Sequence, residues 1–401
     1  MEHRIVPRTR YLDLLHSFRS NVDLIKVITG VRRSGKSELM RQFRQALIDD
    51  DVDEKDIVYI DLDDDRYVID TERMLYELIE ESIRGDGAYV LIDEVQLVPG
   101  WERAVETARV RFKANLYVTG SNSQMTSSDL ATHITGRYVE IHVLPLSFKE
   151  FVYRYPKDRE NGYTQRLDQY LKWGGMPIIN LNDQPRKNKA ILKALYDSVV
   201  NEDIRSRVEL EQGILDNITR FMMSSTGRLI STSTITSGSY IRDPRTTERY
   251  LGELCGSYLF YKADSYDIIG KKHLSTKAKF YPVDTGLRNV RLKKFEQNPA
   301  AMLESAVYIE LVRRGYEVSI GSFNSHEVDF TAWDEDGEPE FIQVAYMVSD
   351  QSTLDRELAA FKNMESGTRM TLITMDPDLP EVPDGVRAVH ATDWFLDDGT
   401  D

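Results

Sequence analysis

The sequence predicts an α/β protein whose first 150 residues form a doubly wound parallel sheet. Three observations carry that expectation. Short apolar runs recur between amphipathic stretches, the rhythm of strands joined by crossover helices. A glycine-framed segment, Gly30 to Ser37, falls where the first apolar run gives way to the first amphipathic stretch. After Pro145 the spacing becomes helical, which closes the sheet domain.

The elements follow in order. Residues 24–29, 57–61, 89–93 and 116–119 are apolar and nearly continuous, as strands buried on both faces are. Helices fit between them at 36–48, 71–83 and 101–111. Beyond Pro145, amphipathic spacing recurs at 148–155, 165–172 and 187–205, broken at Trp173-Gly174-Gly175-Met176-Pro177, where two glycines and a proline cannot continue a helix. Helical patterns at 232–240 and 244–254, joined by a short polar turn and followed by aromatic residues 258–261, suggest a winged helix-turn-helix. Arg242, Arg245 and Arg249 fall on its would-be recognition helix, and they equally suit the solvated face of a small packing module. The end mixes a helix at 300–314, strands at 317–320, 327–331 and 340–345, a helix at 352–365 and a strand at 370–374. Three domains result: 1–148, 149–265 and 266–401.

Composition narrows the function. Of 401 residues, 41% are hydrophobic and 29% charged, the usage of a folded globular protein. No apolar run reaches the roughly 18 residues of a membrane span, and the charged start MEHRIVPRTR lacks the apolar core of a secretion signal. A cytoplasmic protein with no membrane partner is expected. Cys255 is the sole cysteine, which excludes an intrachain disulfide and a thiolate zinc cluster; beside Leu254 and Tyr258 it reads as a buried thiol. The net charge of −15 opposes broad adhesion to nucleic acid. A local basic cluster at Lys271, Lys272, His273, Lys277, Lys279 and Arg288 to Lys294 suits a phosphate backbone, with Phe280 or Tyr281 nearby to stack, and equally suits a solvated surface or a contact with the acidic first domain.

The segment Gly30-Val31-Arg32-Arg33-Ser34-Gly35-Lys36-Ser37 has the phosphate-loop spacing, after a strand and opening a helix. Its glycines let backbone N–H groups face a phosphate, and the helix N-terminus adds its positive end. Lys36 is expected to reach the β- and γ-phosphates of ATP, and Ser37 to ligate Mg2+. The run Tyr89-Val90-Leu91-Ile92-Asp93-Glu94 ends in two acids. On a strand beside the first, Asp93 would hold magnesium and Glu94 would polarise the attacking water. The strand at 116–119 runs into Gly120-Ser121-Asn122, so Ser121 or Asn122 would sense the γ-phosphate. Arg137 is a candidate arginine finger, in cis or from a neighbouring subunit.

Together GVRRSGKS, YVLIDEVQLVPGWE, VTGSNS and TGRY, with Leu144-Pro145-Leu146-Ser147-Phe148, WGGMP, KFYPVDTGLRN, Glu304 to Tyr308 and EVDF, resemble the AAA+-type ATPases of bacteria and archaea that carry a C-terminal domain of unknown function. The resemblance implies a P-loop NTPase core, a helical and winged-helix middle, and a restriction-endonuclease-like α/β end. A site of that last kind needs an acid, then a second acid and a lysine on the next strand. Asp329 supplies the first, with Glu304 or Glu310 to assist, but Gln343 and Ala345 stand where the others belong. Unless a group such as Lys362 substitutes, nuclease activity is not expected. The function expected is Mg-dependent ATP binding and hydrolysis that drives a conformational switch acting on a nucleic-acid or protein partner. The alternatives are an ATP-gated DNA nuclease and a slow ATP-binding sensor with a protein partner; a homo-oligomer follows if Arg137 acts in trans.

Overall fold

The computed structural model describes residues 5–66, 68–121, 136–156, 162–205, 211–292, 298–323, 326–364 and 367–397. They fall into two compact units, one of residues 1–144 with 256–258, the other of 145–255 with 259–401. Among the described residues no helix is long and apolar enough to cross a membrane.

The first unit is built on a parallel sheet of β1 (Ile25–Thr29), β2 (Ile57–Asp61), β3 (Tyr89–Asp93), β4 (Asn115–Thr119) and β5 (Tyr138–His142), in the order β2-β3-β4-β1-β5. Both faces are covered, which is why the strands read as unbroken apolar runs. Leu75 and Ile79 of α3 (Glu72–Ser82) and Trp101, Val105 and Ala108 of α4 (Trp101–Phe112) pack on one face. Tyr11 and Leu15 of α1 (Thr9–Ser17) and Leu39, Phe43 and Leu47 of α2 (Lys36–Asp49) fill the other. The expectation that the strand ending in Asp93 lies beside the first is corrected: β4 lies between them, paired to β1 at Ile28↔Thr119 and to β3 at Ile92↔Val118. The carboxyl ends of β1, β4 and β3 therefore sit side by side, with Thr119 in the middle. Lys26 is fully buried in β1, donating to Asn21 O at 2.7 Å and Asn115 Oδ1 at 3.3 Å, and burial pushes its ammonium down to about 8.

The second unit carries helices α5 (Phe148–Arg154), α6 (Tyr163–Trp173), α7 (Pro185–Ser198), α8 (Gln212–Ser224), α9 (Thr232–Gly238) and α10 (Pro244–Gly256), the last of which ends at the junction of the two units. Its sheet runs β12-β11-β10-β9-β8-β6-β7, from β6 (Phe260–Asp267), β7 (Lys272–Pro282), β8 (Glu317–Phe323), β9 (His326–Trp333), β10 (Pro339–Ala345), β11 (Arg369–Thr374) and β12 (Val386–His390). Helices α11 (Thr285–Arg291), α12 (Pro299–Arg313), α13 (Gln351–Glu357) and α14 (Ala391–Leu396) complete it. Most positions of α12 are buried from Ala301 to Leu311, as a helix apolar nearly all round must be. Leu354 and Leu358 at the end of α13 pack with Val328, Phe341 and Leu372 against the sheet.

The break after α6 has a specific partner. Asp284, at the start of α11, accepts from Gly175 N at 2.7 Å and Leu287 N at 3.0 Å. Gly174 has φ +76°, and a Cβ there would run into the Asp284 carboxylate. Asn289 adds bonds to Leu171 O at 3.2 Å and Lys172 O at 2.9 Å. Burial pushes the Asp284 carboxyl up to about 6, against the lowering effect of the backbone N–H groups of Leu287, Gly175, Gly286 and Met176.

Candidate nucleotide site

Gly30 follows β1 at φ +139°, where a Cβ would collide with Val143 O, so the chain passes the Val143 backbone this closely only because the residue is glycine. Gly35, at φ +106°, is the N-cap of α2 and offers no side-chain cap. The first N–H groups of α2 thus keep their donor capacity for an anion. Lys36 is buried, and its ammonium curls back to Gly30 O at 3.0 Å and Val31 O at 3.3 Å. Ser34 Oγ is buried without a hydrogen-bond partner among the described residues, a polar atom aimed into the loop's interior that a phosphate oxygen would satisfy. Arg33 is exposed at φ +62°, Arg32 and Ser37 are half-buried and Val31 is buried. The loop carries the donor set that a phosphate chain needs.

On the neighbouring strands, Asp93 is buried and accepts from the Thr119 hydroxyl and, at 3.2 Å, from the Tyr59 hydroxyl. Thr119 Oγ1 also accepts from Glu94 N at 2.9 Å. Glu94 itself adopts φ +55°, and its carboxylate accepts from Gln96 Nε2. Burial first, then the charge of Asp93, raises the Tyr59 hydroxyl well above its usual range and raises Asp61 as well. Tyr59 therefore stays a donor, and Asp93 keeps lone pairs for the hydration shell of a magnesium ion.

The structure brings Gly30 to Ser37, Asp93 and Glu94 to one edge of the sheet. Ser121 is buried directly after β4, while Asn122 lies outside the described residues. Arg137 is not brought there. It precedes β5, whose Tyr138 pairs with Ile25, so it stands at the far end of β1, roughly 15 Å of strand from Gly30. Its guanidinium is half-exposed and lies 3.9 Å from Glu106 Oε1.

Two contributors have no signature in the spacing. Arg8 is 2% exposed and donates to Ser34 O at 3.0 Å and Leu144 O at 2.7 Å, holding the loop from behind. The other is Thr119, whose hydroxyl bonds the Asp93 carboxylate and the Glu94 backbone N–H. The polar end of an otherwise apolar strand was the signal available for Thr119.

In the second unit the expected basic surface is corrected. Lys279, Phe280, Tyr281 and Arg288 are buried, so they offer no stacking face; Lys271, Lys272, His273 and Lys277 are exposed, and Lys293 and Lys294 lie outside the described residues. Arg242, Arg245 and Arg249 are exposed. Asp329 and Glu304 do come together, with Lys279 between them. Glu310 instead pairs with Arg313 and Arg314, and Lys362 with Asp355 at 3.8 Å, away from Asp329. Cys255 is half-buried, and desolvation pushes its thiol up to about 12.

Residues 23–152 match the family model described as AAA domain, and residues 164–298 match the one described as Domain of unknown function (DUF8612). With the loop and sheet described above, the first match defines an AAA-type P-loop domain, the class of nucleotide-binding ATPases. An uncharacterized protein of Haemophilus influenzae is 36% identical over 405 residues, covering 99% of this chain and 100% of its own length. The uncharacterized protein MJ1544 of Methanocaldococcus jannaschii is 30% identical over 362 residues, covering 84% and 78%. The chain belongs to the family that these two proteins represent. Among solved structures, the Aeropyrum pernix Orc1 protein in complex with DNA is similar at 13% identity, with 78% of this chain and 95% of that one covered and a TM-score of 0.31. The Thermotoga maritima RuvB Holliday junction branch migration motor is similar at 12% identity, with 68% and 92% covered and a TM-score of 0.34.

Proposed function

We propose that this chain is a magnesium-dependent ATPase whose nucleotide cycle switches its C-terminal parts between states that differ in affinity for a nucleic-acid or protein partner. The observation that carries the reading is the loop from Gly30 to Ser37. It is backed by Arg8, lined by an orphaned Ser34 hydroxyl, and set one strand away from Asp93 and Glu94. In this reading Lys36 leaves the carbonyls of Gly30 and Val31 for the β- and γ-phosphates, Ser37 and Asp93 hold the metal, and Glu94 orients the attacking water. Bound magnesium supplies charge neutralisation on the transferring phosphoryl group.

Residues 149–265 serve as the helical and winged-helix part, and 266–401 as a restriction-endonuclease-like domain without nuclease activity. Arg137, remote from its own loop, acts only from a neighbouring copy, and then specific activity falls on dilution. A second reading, the slow sensor, is favoured by the bond from Gln96 that holds the Glu94 carboxylate.

Steady-state hydrolysis by wild type, Lys36→Ala and Glu94→Gln, with and without a panel of DNA structures, separates these readings. The ATPase switch requires turnover that depends on magnesium and is lost in both variants. Stimulation by one DNA form assigns a nucleic-acid partner, and indifference to all of them assigns a protein. ATP binding without turnover in the wild type refutes the ATPase switch in favour of the sensor.

A further inference from the structure

Three acidic side chains meet in the second unit, and a cation already sits among them. Lys279 on β7 is buried, and its ammonium lies 2.6 Å from Glu327 Oε1, 2.8 Å from Glu304 Oε1 and 3.3 Å from Asp329 Oδ1. An ammonium has three N–H donors; Glu304 and Asp329 each accept one, and Glu327 Oε1 pairs with the charge at 2.6 Å. The acids are committed elsewhere too. The Tyr281 hydroxyl donates to Glu304 Oε1 at 2.7 Å, and Val344 N donates to Asp329 Oδ2 at 3.0 Å. Gln343 stands on β10 where a phosphodiester-cleaving site places its second acid. Its Oε1 accepts from Asp329 N at 3.3 Å and its Nε2 donates to Glu357 at 3.2 Å. It brings no charge to the cluster.

A divalent cation would need the same oxygens at 2.0–2.6 Å, which puts it where the nitrogen now is. Magnesium gives up its water reluctantly, whereas a tethered ammonium is present in every folded molecule. Burial by itself would lower the Lys279 ammonium; the charges of Glu304, Asp329 and Glu327 outweigh it and hold the group protonated. Paired with three carboxylates in this way, the ammonium does not restore the lysine missing at Ala345. Gly227 closes the cluster from another side, where a Cβ would come within 2.8 Å of Glu304 Oε2. Glu327 is 43% exposed and gives the cluster its opening to solvent.

We propose that Lys279 is this domain's own cation: its ammonium occupies the position that a nuclease-type site gives to a divalent metal, closes that site to metal, and ties β7 to α12 and β9. The inference rests on the nuclease-like reading of the C-terminal sheet and is independent of the ATPase reading.

The test is a Mn2+ titration of the full chain, without nucleotide, read by electron paramagnetic resonance. Wild type and Asp329→Asn are expected to give the same binding curve, and neither cuts single-stranded, duplex or branched DNA in Mn2+. Lys279→Met is expected to gain about one bound Mn2+. Its Tm should fall by about 10 °C in chelator and recover as Mn2+ is added. Three negative charges left together can prevent folding, so Lys279→Met/Glu304→Gln, with one charge fewer, is measured alongside and must show the same gain. The proposal is overturned by Mn2+ binding in wild type that Asp329→Asn abolishes, by cleavage lost in that variant, or by a folded Lys279→Met that binds no more Mn2+ than wild type. If neither lysine variant folds, the comparison of wild type with Asp329→Asn still decides. With no nucleotide present, failure of the ATPase reading leaves every one of these readouts unchanged.

Discussion

Replacing Arg8 by methionine isolates the support behind the phosphate loop. Methionine keeps the apolar stem and removes a guanidinium that bonds Ser34 O at 3.0 Å and Leu144 O at 2.7 Å. A hydrogen bond from a charged donor contributes about 1.5–3 kcal/mol, and a buried acceptor left alone loses a similar amount. Arg8 is 2% exposed, so solvent screening takes little from these figures. Two such bonds, discounted for non-additivity, make the loss about 4 kcal/mol in the first unit. If about 1.4 kcal/mol of it falls on the loop conformation that receives phosphate, ATP affinity drops about tenfold. Arg8→Lys, whose compact ammonium cannot fork to both carbonyls, should lose about half as much. Urea unfolding, following the first unit's transition, and titration with a fluorescent ATP analogue measure the two effects. Stability within about 1 kcal/mol of wild type together with unchanged affinity would refute the reasoning.

Other expectations follow from single contacts. Thr119→Val removes the hydroxyl shared by Asp93 and Glu94 N, so kcat should fall at least about tenfold while KM for ATP stays near wild type; steady-state kinetics decide, and an unchanged kcat takes Thr119 out of the site. Lys26 has its ammonium lowered to about 8 from 10.5, so the unfolded chain binds the extra proton between those values and wild type gains stability as pH rises through them. The stability of Lys26→Met relative to wild type should therefore be greatest near pH 7 and shrink by up to about 3 kcal/mol by pH 10.5, measured by urea unfolding across that range. Asp284 is shifted the other way, up to about 6 from 3.8, so its protonated form favours the folded state below about pH 4 and that benefit is lost as pH rises through 6. Relative to Asp284→Asn, wild type should lose up to about 3 kcal/mol between pH 4 and 7, and a flat difference across that range would contradict the assignment.

Burial decided which elements were legible. β1 to β4 are read to within a residue because both faces are covered and the apolar run is the whole strand. β5 escaped because only Ile141 of its five residues is buried, which leaves no run to detect. The helix expected over 352–365 was too long: α13 stops at Glu357, and the apolar spacing continues through the turn at Phe361–Asn363. In the site, Gly30, Gly35 and Lys36 announce themselves through spacing set by backbone geometry. Arg8 does not, because its partners are carbonyls, which every residue possesses. Lys279 was misread as surface charge, since its acids lie 25, 48 and 50 positions away in sequence, at Glu304, Glu327 and Asp329, and only the fold brings them together.

The latch between Gly174 and Asp284 makes two distant stretches of the second unit heritable only as a pair. A side chain at 174 and a carboxylate at 284 exclude each other in space, while a smaller residue at 284 would strand the amides of Gly175 and Leu287. A chimera that takes residues 145–200 from one relative and 259–401 from another is therefore compatible only when both parents carry matching halves.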